Sequence, residues 1–113
     1  MLPAANRLRR HQDIVETVRR GRRVSRGYLV LHVVQSSSAQ TRVAFAVGRK
    51  VGPSVTRSRV TRRLRHQFRE LLPEVPLGFQ IVVRALPAAA AADSARLGAD
   101  LRSALRSVAG VAK

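Results

Sequence analysis

The stretch VGRKVGPSVTRSRVTRRLRHQFRE, residues 47–70, constrains the fold more than any other part of the chain. From Val55 onward, Val60, Leu64, Phe68 and Leu71 recur at spacings of four, four and three, which puts them in one stripe of an α-helix. At about 100° per residue, Arg59, Arg62, Arg63, Arg65 and Arg69 fall on the remaining arc. Gly52-Pro53-Ser54 supplies a turn and a hydroxyl placed to cap the first free N–H groups. Pro73 and Pro76 stop the helix near Leu72. A helix with a single apolar stripe needs a second layer to bury it.

The basic arc sets the partner. Solvated helices normally mix signs, pairing Glu with Lys or Arg four residues apart. Here Arg49, Lys50, Arg57, Arg59, Arg62, Arg63, Arg65 and Arg69 meet no acid before Glu70. No carboxylate occurs between Glu16 and Glu70 at all. The whole chain carries 22 Lys plus Arg against 6 Asp plus Glu, a formal charge of +16. That imbalance points to nucleic acid first and to an anionic membrane surface second. Nearly all the basic residues are arginine, the planar group that forks onto phosphate and stacks on bases. No apolar run reaches membrane-spanning length, and the N-terminus lacks a secretory h-region, so a cytoplasmic protein is expected. Without cysteine there are no disulfides and no thiolate metal sites.

At 113 residues and 45% hydrophobic content, one folded domain spanning 1–113 is expected. Residues 1–10 read as an irregular basic arm. A first helix is expected over His11–Arg20, with Ile14, Val15 and Val18 as its apolar face and Gly21 as its C′ residue. Arg22, Arg23 and Arg26 continue the charge in a short loop. Tyr28–Gln35 (YLVLHVVQ) reads as a strand at least partly covered on both faces, apolar on both except for His32. After the polar connection 36–40, Thr41–Val47 reads as a second strand, antiparallel to the first. Val43, Phe45 and Val47 share one of its faces; Ala44, Ala46 and Gly48 share the other, which is flat enough for close approach by a helix or a ligand strand. Phe79–Ala85 is the third strand. Residues 86–92 are an alanine-rich link, either loose or an extension of the next helix. Asp93 or Ser94 caps a last helix with Leu97, Leu101, Leu105 and Val108 in register and Gly110 at its end. The order α-β-β-α-β-α, with a β-α-β unit around the basic helix, makes a small α+β sandwich.

Catalytic groups are scarce. Asp13 and Glu16 suit a helix start, Asp93 a cap and Asp100 a helix surface. Glu70 and Glu74 stand four apart, as a metal pair or simply a helix end. A two-metal nuclease needs several converging carboxylates, and these do not assemble one. His11 fits a helix start, His32 a packed or cleft-lining position and His66 an RNA contact. No phosphate loop, nucleophile elbow or zinc spacing occurs. No catalytic residue and no metal ligand is assigned.

Taken together, a helix ending in RRGRR, the strand YLVLHVV, then RVAFAVGRKVG and the R-S-R-V-T-R-R-L-R helix resemble the protein subunit of bacterial ribonuclease P over nearly the whole chain. That family's turn K/R-K-V-G is matched by Arg49-Lys50-Val51-Gly52. Its Arg-Asn-Arg helix opening is matched by Arg57-Ser58-Arg59, with Ser58 in place of Asn; a Lys common after that motif is Thr61 here. The resemblance implies an RNA-binding set of Arg49, Lys50, Arg57, Ser58, Arg59, Arg62, Arg63, Arg65 and Arg69. It implies a cleft between the sheet and the first helix that holds the single-stranded 5′ leader of precursor tRNA. Ile14 and Val18 stand where the family usually places aromatics. Tyr28 and Phe45 are then the aromatic candidates for that cleft, although the face Phe45 shares with Val43 and Val47 equally suits a core. The resemblance also implies a left-handed β-α-β crossover, where general rules would give a right-handed one. It implies one protein per catalytic RNA, and Mg²⁺ held mainly by that RNA, which does the chemistry. The alternative is a ribosomal or other structural RNA-binding protein with no enzyme role.

Overall fold

The computed structural model describes residues 2–36 and 39–108. Helix α1 is His11–Arg20, β1 Arg22–Arg26, β2 Leu29–Gln35, β3 Arg42–Ala46, α2 Ser54–Leu71, β4 Phe79–Ala85 and α3 Ser94–Val108, with short 3₁₀ turns at Ala4–Asn6, Leu72–Glu74 and Pro87–Ala91. One four-stranded sheet has the order β1-β2-β4-β3. β1–β2 and β2–β4 are antiparallel and β3–β4 is parallel.

The alternation of the strands sorts their side chains into two layers. Leu29, Leu31, Val33, Val43, Ile81 and Val83 pack against Val60, Leu64 and Phe68 of α2 and Leu97, Leu101 and Leu105 of α3. Val60, Leu64 and Phe68 are fully buried, and Leu71 nearly so, as the 4-4-3 spacing requires. The opposite face shows Val30, His32, Gln80, Val82, Ala44 and Ala46, and α1 lies across part of it. There the Thr17 hydroxyl donates to the Asp13 carbonyl at 2.7 Å and meets the Gln80 side-chain amide at 3.1 Å. Of the expected apolar face of α1, Ile14 and Val18 are half-buried, Val15 is exposed, and Thr17 is the fully buried residue.

Several expectations are corrected. Arg22–Arg26 is an edge strand, not a loop; its charges suit an edge, where they discourage pairing with other chains. Gly27 and Tyr28 form the two-residue turn into β2, with Gly27 at φ +55. The first two strands of the sequence reading run antiparallel, as expected, but are not neighbours, because β4 inserts between β2 and β3. Gly21 ends α1 in extended rather than left-handed backbone. What it provides is close approach: a Cβ there would collide with the Thr17 carbonyl and crowd the Val33 backbone. Helix α2 takes Pro53 as its N-cap, with no side-chain cap bond, so Ser54 is already its first helical residue. The alanine link is ordered: Ala89 and Ala92 are buried in the core. Asp93, not Ser94, caps α3, accepting from the Arg96 N–H at 2.8 Å. Gly110 and the side chain of Val108 lie outside the described residues.

The N-terminal arm is also structured. Arg7 bridges to Val43, and the Leu8 N–H donates to the Val43 carbonyl at 2.9 Å. The arm thus covers the open edge of β3 and buries Leu2 and Leu8.

Asp100 is the largest departure from the sequence reading. It is 7% exposed, not a surface residue. Its carboxylate accepts the Tyr28 N–H at 3.0 Å and pairs with Arg96 Nε at 3.2 Å. It fills the space over Gly27 that any side chain there would need. Asp100→Ala leaves the Tyr28 donor without its acceptor inside the protein and is expected to cost about 2–3 kcal/mol. A urea titration checks this; a midpoint equal to wild type would show that the turn does not depend on Asp100.

Candidate nucleic-acid interface

Helix α2 is tied down along Val60, Leu64, Phe68 and Leu71, so its other sides have fixed directions. Its arginines fall into two rows. Arg59 and Arg63 lean toward the alanine turn. Arg59 Nη2 donates to the Ala90 carbonyl at 3.3 Å, and Arg63 Nη1 to the Ala92 carbonyl at 2.7 Å. With Arg62, His66 and Ser94 they line a groove of about 290 Å³ between α2 and α3. Arg57, Ser58, Thr61, Arg62 and Arg65 line a second groove of about 460 Å³ on the flank bounded by Val47. Arg62 borders both grooves, so it stands on the crest. Arg62, Arg65 and Arg69 are exposed.

Among the described residues, none of the α2 arginines makes an ion pair. The acids go elsewhere. Asp13 is 3.9 Å from Arg10, Glu16 pairs with Arg20, Asp100 with Arg96, and Glu74 with Arg102. Glu74 is therefore committed to α3 rather than to a site shared with Glu70. The Nε groups of Arg57 and Arg59 are buried without an acceptor. Arg49 and Lys50 are exposed in the turn before α2, held by the Val51 N–H to Gly48 carbonyl bond and anchored by buried Val51.

The α1 face of the sheet holds the second candidate surface. Ile14 and Val18 reach it from α1. Ala44 is half-buried there, and Ala46 and Gly48 are exposed, so the flat face expected from sequence is open beside the helix. Tyr28 does not join it, and Phe45 does so only at the cavity it lines with Ile14 and Ala44. The Phe45 ring meets Phe68 edge-on at 6.0 Å in the helix layer, because its parity follows Val43. Tyr28 packs beside α3, with the Arg96 guanidinium 4.9 Å over its ring. Tyr28 thus has a packing role in this structure, and Phe45 packs on Phe68 as its shared face with Val43 and Val47 allowed.

Arg23 and Arg84 were not among the sequence candidates, yet both lie on this face. Arg23 is opposite His32 on β1, and Arg84 is two residues along β4 from Val82, the other partner of His32. The alternation in FQIVVRA carries the signal: with Ile81 and Val83 inward, Arg84 must face the other way. Arg84 Nη1 is 3.4 Å from His32 Nε2. Burial, then the guanidiniums of Arg84 and Arg23, lower the His32 pKa from its usual 6.5. Folding therefore favours neutral His32. The stability this gives is present above pH 6.5 and is lost as pH falls from there toward the folded-state value. His32→Gln is expected to flatten that part of the pH–stability curve, measured by thermal melts between pH 7 and 5; an unchanged slope would contradict it.

Comparison with known proteins decides the family. The ribonuclease P family model matches residues 2–109. The chain belongs to the ribonuclease P protein family. Among its relatives, the ribonuclease P protein component of Streptomyces avermitilis is 44% identical, with 97% of each chain covered. That of Rhodococcus opacus is 47% identical over 93% of this chain and 90% of its own. Two solved structures share the fold. A Staphylococcus aureus RNase P protein mutant aligns at TM-score 0.85 and 23% identity, over 96% of this chain and 91% of that one. The Thermotoga maritima RNase P protein, solved with 1-(4-fluorophenyl)-2-thiourea, aligns at 0.83 and 24%, over 90% and 99%. Membership in the ribonuclease P protein family makes the chain a holoenzyme subunit whose partner is an RNA subunit. It sets aside the reading as a structural RNA-binding protein with no enzyme role.

Proposed function

We propose that α2 and the turn before it grip the catalytic RNA of ribonuclease P, while the α1 face of the sheet holds the 5′ leader of precursor tRNA. The supporting observation is the row of α2 arginines without ion-pair partners among the described residues, fixed in direction by a fully buried stripe. Arg57, Ser58, Arg62, Arg65 and Arg69, with Arg49 and Lys50, supply phosphate and groove-edge contacts to folded RNA. Arg59 and Arg63 brace the alanine turn and border the groove between α2 and α3. The leader lies along Ile14, Val18, Ala44 and Ala46, with Arg23 and Arg84 for its phosphates. A positive groove with a flat platform is what single-stranded RNA requires.

The chemistry is assigned to the RNA with Mg²⁺. Among the described residues, no three His, Asp or Glu side chains converge on a metal position. One protein per RNA, acting in the cytoplasm, completes the reading. No helix among the described residues is long and apolar enough to cross a membrane.

The test is the salt dependence of binding to the catalytic RNA. With five or six cations on phosphates, log K is expected to fall against log salt with a slope of roughly −4 to −5. A slope near −1 would mean that α2 does not lie along the RNA backbone.

A further inference from the structure

The edge strand β1 carries a group that the RNA-binding surfaces leave unused, the Ser25 hydroxyl. Arg22 and Arg23 stand three and two residues before it, and Arg26 follows it. Of all serines and threonines in the chain, Ser25 alone has arginine at both of those preceding positions. It is exposed, on the outermost strand of the sheet. Among the described residues its hydroxyl makes no hydrogen bond, while its carbonyl accepts from Arg26 Nη1 at 2.8 Å. Thr61, two residues after Arg59, differs: it is helical, and its hydroxyl donates to the Arg57 carbonyl at 2.8 Å. An extended edge strand lifts away from its sheet at lower cost than a packed helix or a central strand opens. Strand pairing fixes what surrounds the hydroxyl. Ser25 is opposite Val30, and Val30 is opposite Arg84, so Ser25 and Arg84 share one row of one face, about 9.5 Å apart across two strand spacings. Arg23, two residues along β1, shares that face at about 7 Å, whereas Arg22 and Arg26 fall on the other face with Val24. Among the described residues none of these four arginines is in an ion pair.

We infer that Ser25 is a phosphorylation site for an arginine-directed serine/threonine kinase, and that its phosphate closes this face of the sheet to RNA. In the transfer, the Ser25 oxygen forms a bond to the terminal phosphorus of a nucleoside triphosphate. The bond from that phosphorus to the departing diphosphate breaks, and the hydroxyl proton passes to the kinase's base. Arginines ahead of the acceptor match a kinase groove lined with carboxylates. The product carries a charge of roughly −1.5 to −2 at neutral pH, with oxygens that accept from guanidiniums. Arg23 and Arg84 are the arginines placed on its face, and they bind it in place of an RNA phosphate. The closing effect rests on the reading of Arg23 and Arg84 as leader contacts; the phosphorylation itself does not.

The test starts from the protein isolated from its native cells, growing and starved, and mapped by tandem mass spectrometry. Phosphate on Ser25 is expected in either state; its absence from both overturns the site. Purified protein given ATP and an arginine-directed kinase should take up phosphate at Ser25. Arg22→Ala should slow that uptake about tenfold and leave precursor affinity unchanged, since Arg22 lies on the face away from the leader. Uptake that persists in Ser25→Ala, or that ignores Arg22→Ala, would overturn recognition at this strand. Holoenzyme reconstituted with the phosphorylated protein should bind precursor tRNA about tenfold more weakly than unmodified holoenzyme, with mature tRNA and catalytic RNA bound as before. Ser25→Ala taken through the same treatment should keep full affinity. The phosphorylated free protein should melt no lower than the unmodified one. A lower melting temperature would show the phosphate loosening β1 and would overturn the closure, as would equal precursor affinity with and without phosphate. Equal affinity of unmodified holoenzyme for precursor and mature tRNA would instead remove the leader reading and the closure together, while the mass spectrum still decides the modification.

Discussion

Replacing Arg62 and Arg65 together by alanine is expected to weaken binding to the catalytic RNA about a hundredfold at low salt, since each lost phosphate contact there costs roughly tenfold. Arg62 stands on the crest between both grooves of α2, and Arg65 is exposed along the outer groove. Among the described residues, neither makes an ion pair. The salt slope should flatten by between one and two. The paired replacement of Arg59 and Arg63 should behave differently. Both side chains donate to carbonyls of the alanine turn, so part of their effect should appear as lost stability rather than lost affinity. Filter-binding titrations at several salt concentrations, beside melts of the free protein, separate the two outcomes. An unchanged slope for Arg62→Ala with Arg65→Ala would take those residues out of the interface.

Phe68→Ala should be the most damaging single change to stability. Phe68 is fully buried, the largest such side chain, and it meets Phe45 edge-on at 6.0 Å. Truncation removes its burial and leaves a cavity between α2 and the sheet, at about 3–5 kcal/mol. Domains of this size are commonly stable by only about 5–15 kcal/mol, so much of the total goes at once. The melting temperature should fall by more than about 10 °C. Phe45→Leu keeps most of the volume and loses mainly the ring pair, worth roughly 0.5–1.5 kcal/mol. A Phe68→Ala protein melting within a few degrees of wild type would mean that the apolar stripe does not anchor the basic face. RNA affinity measured well below the lowered melting temperature should fall little, because the arginines themselves remain.

Helix α2 was legible because its apolar stripe and its arginines occupy complementary arcs, and nothing else in the chain competes for those leucines. The layer of Phe45 was legible only as parity. Strand alternation groups it with Val43, but only the position of α1 says which face is the cleft. β1 escaped notice because an edge strand can be charged and short, so RRVSR lacks the apolar run that marks a central strand. The insertion of β4 between β2 and β3 is a pairing across more than thirty residues, which no local pattern encodes. Asp100 shows the same limit. Its place between Leu97 and Leu101 hinted at the apolar arc, but the need for a carboxylate there comes from Gly27 and Tyr28, far away in sequence. The alanine run looks featureless because its work is done by backbone carbonyls facing Arg59 and Arg63.

The most direct measurement is cleavage of precursor tRNA at low Mg²⁺ by the catalytic RNA with and without this protein, beside the protein alone. A chain that holds the ribozyme and its substrate without cutting should speed removal of the leader when added to the RNA and release nothing by itself. Leader release by the protein in the absence of RNA, or a rate unaffected by its addition, would contradict that division of labour.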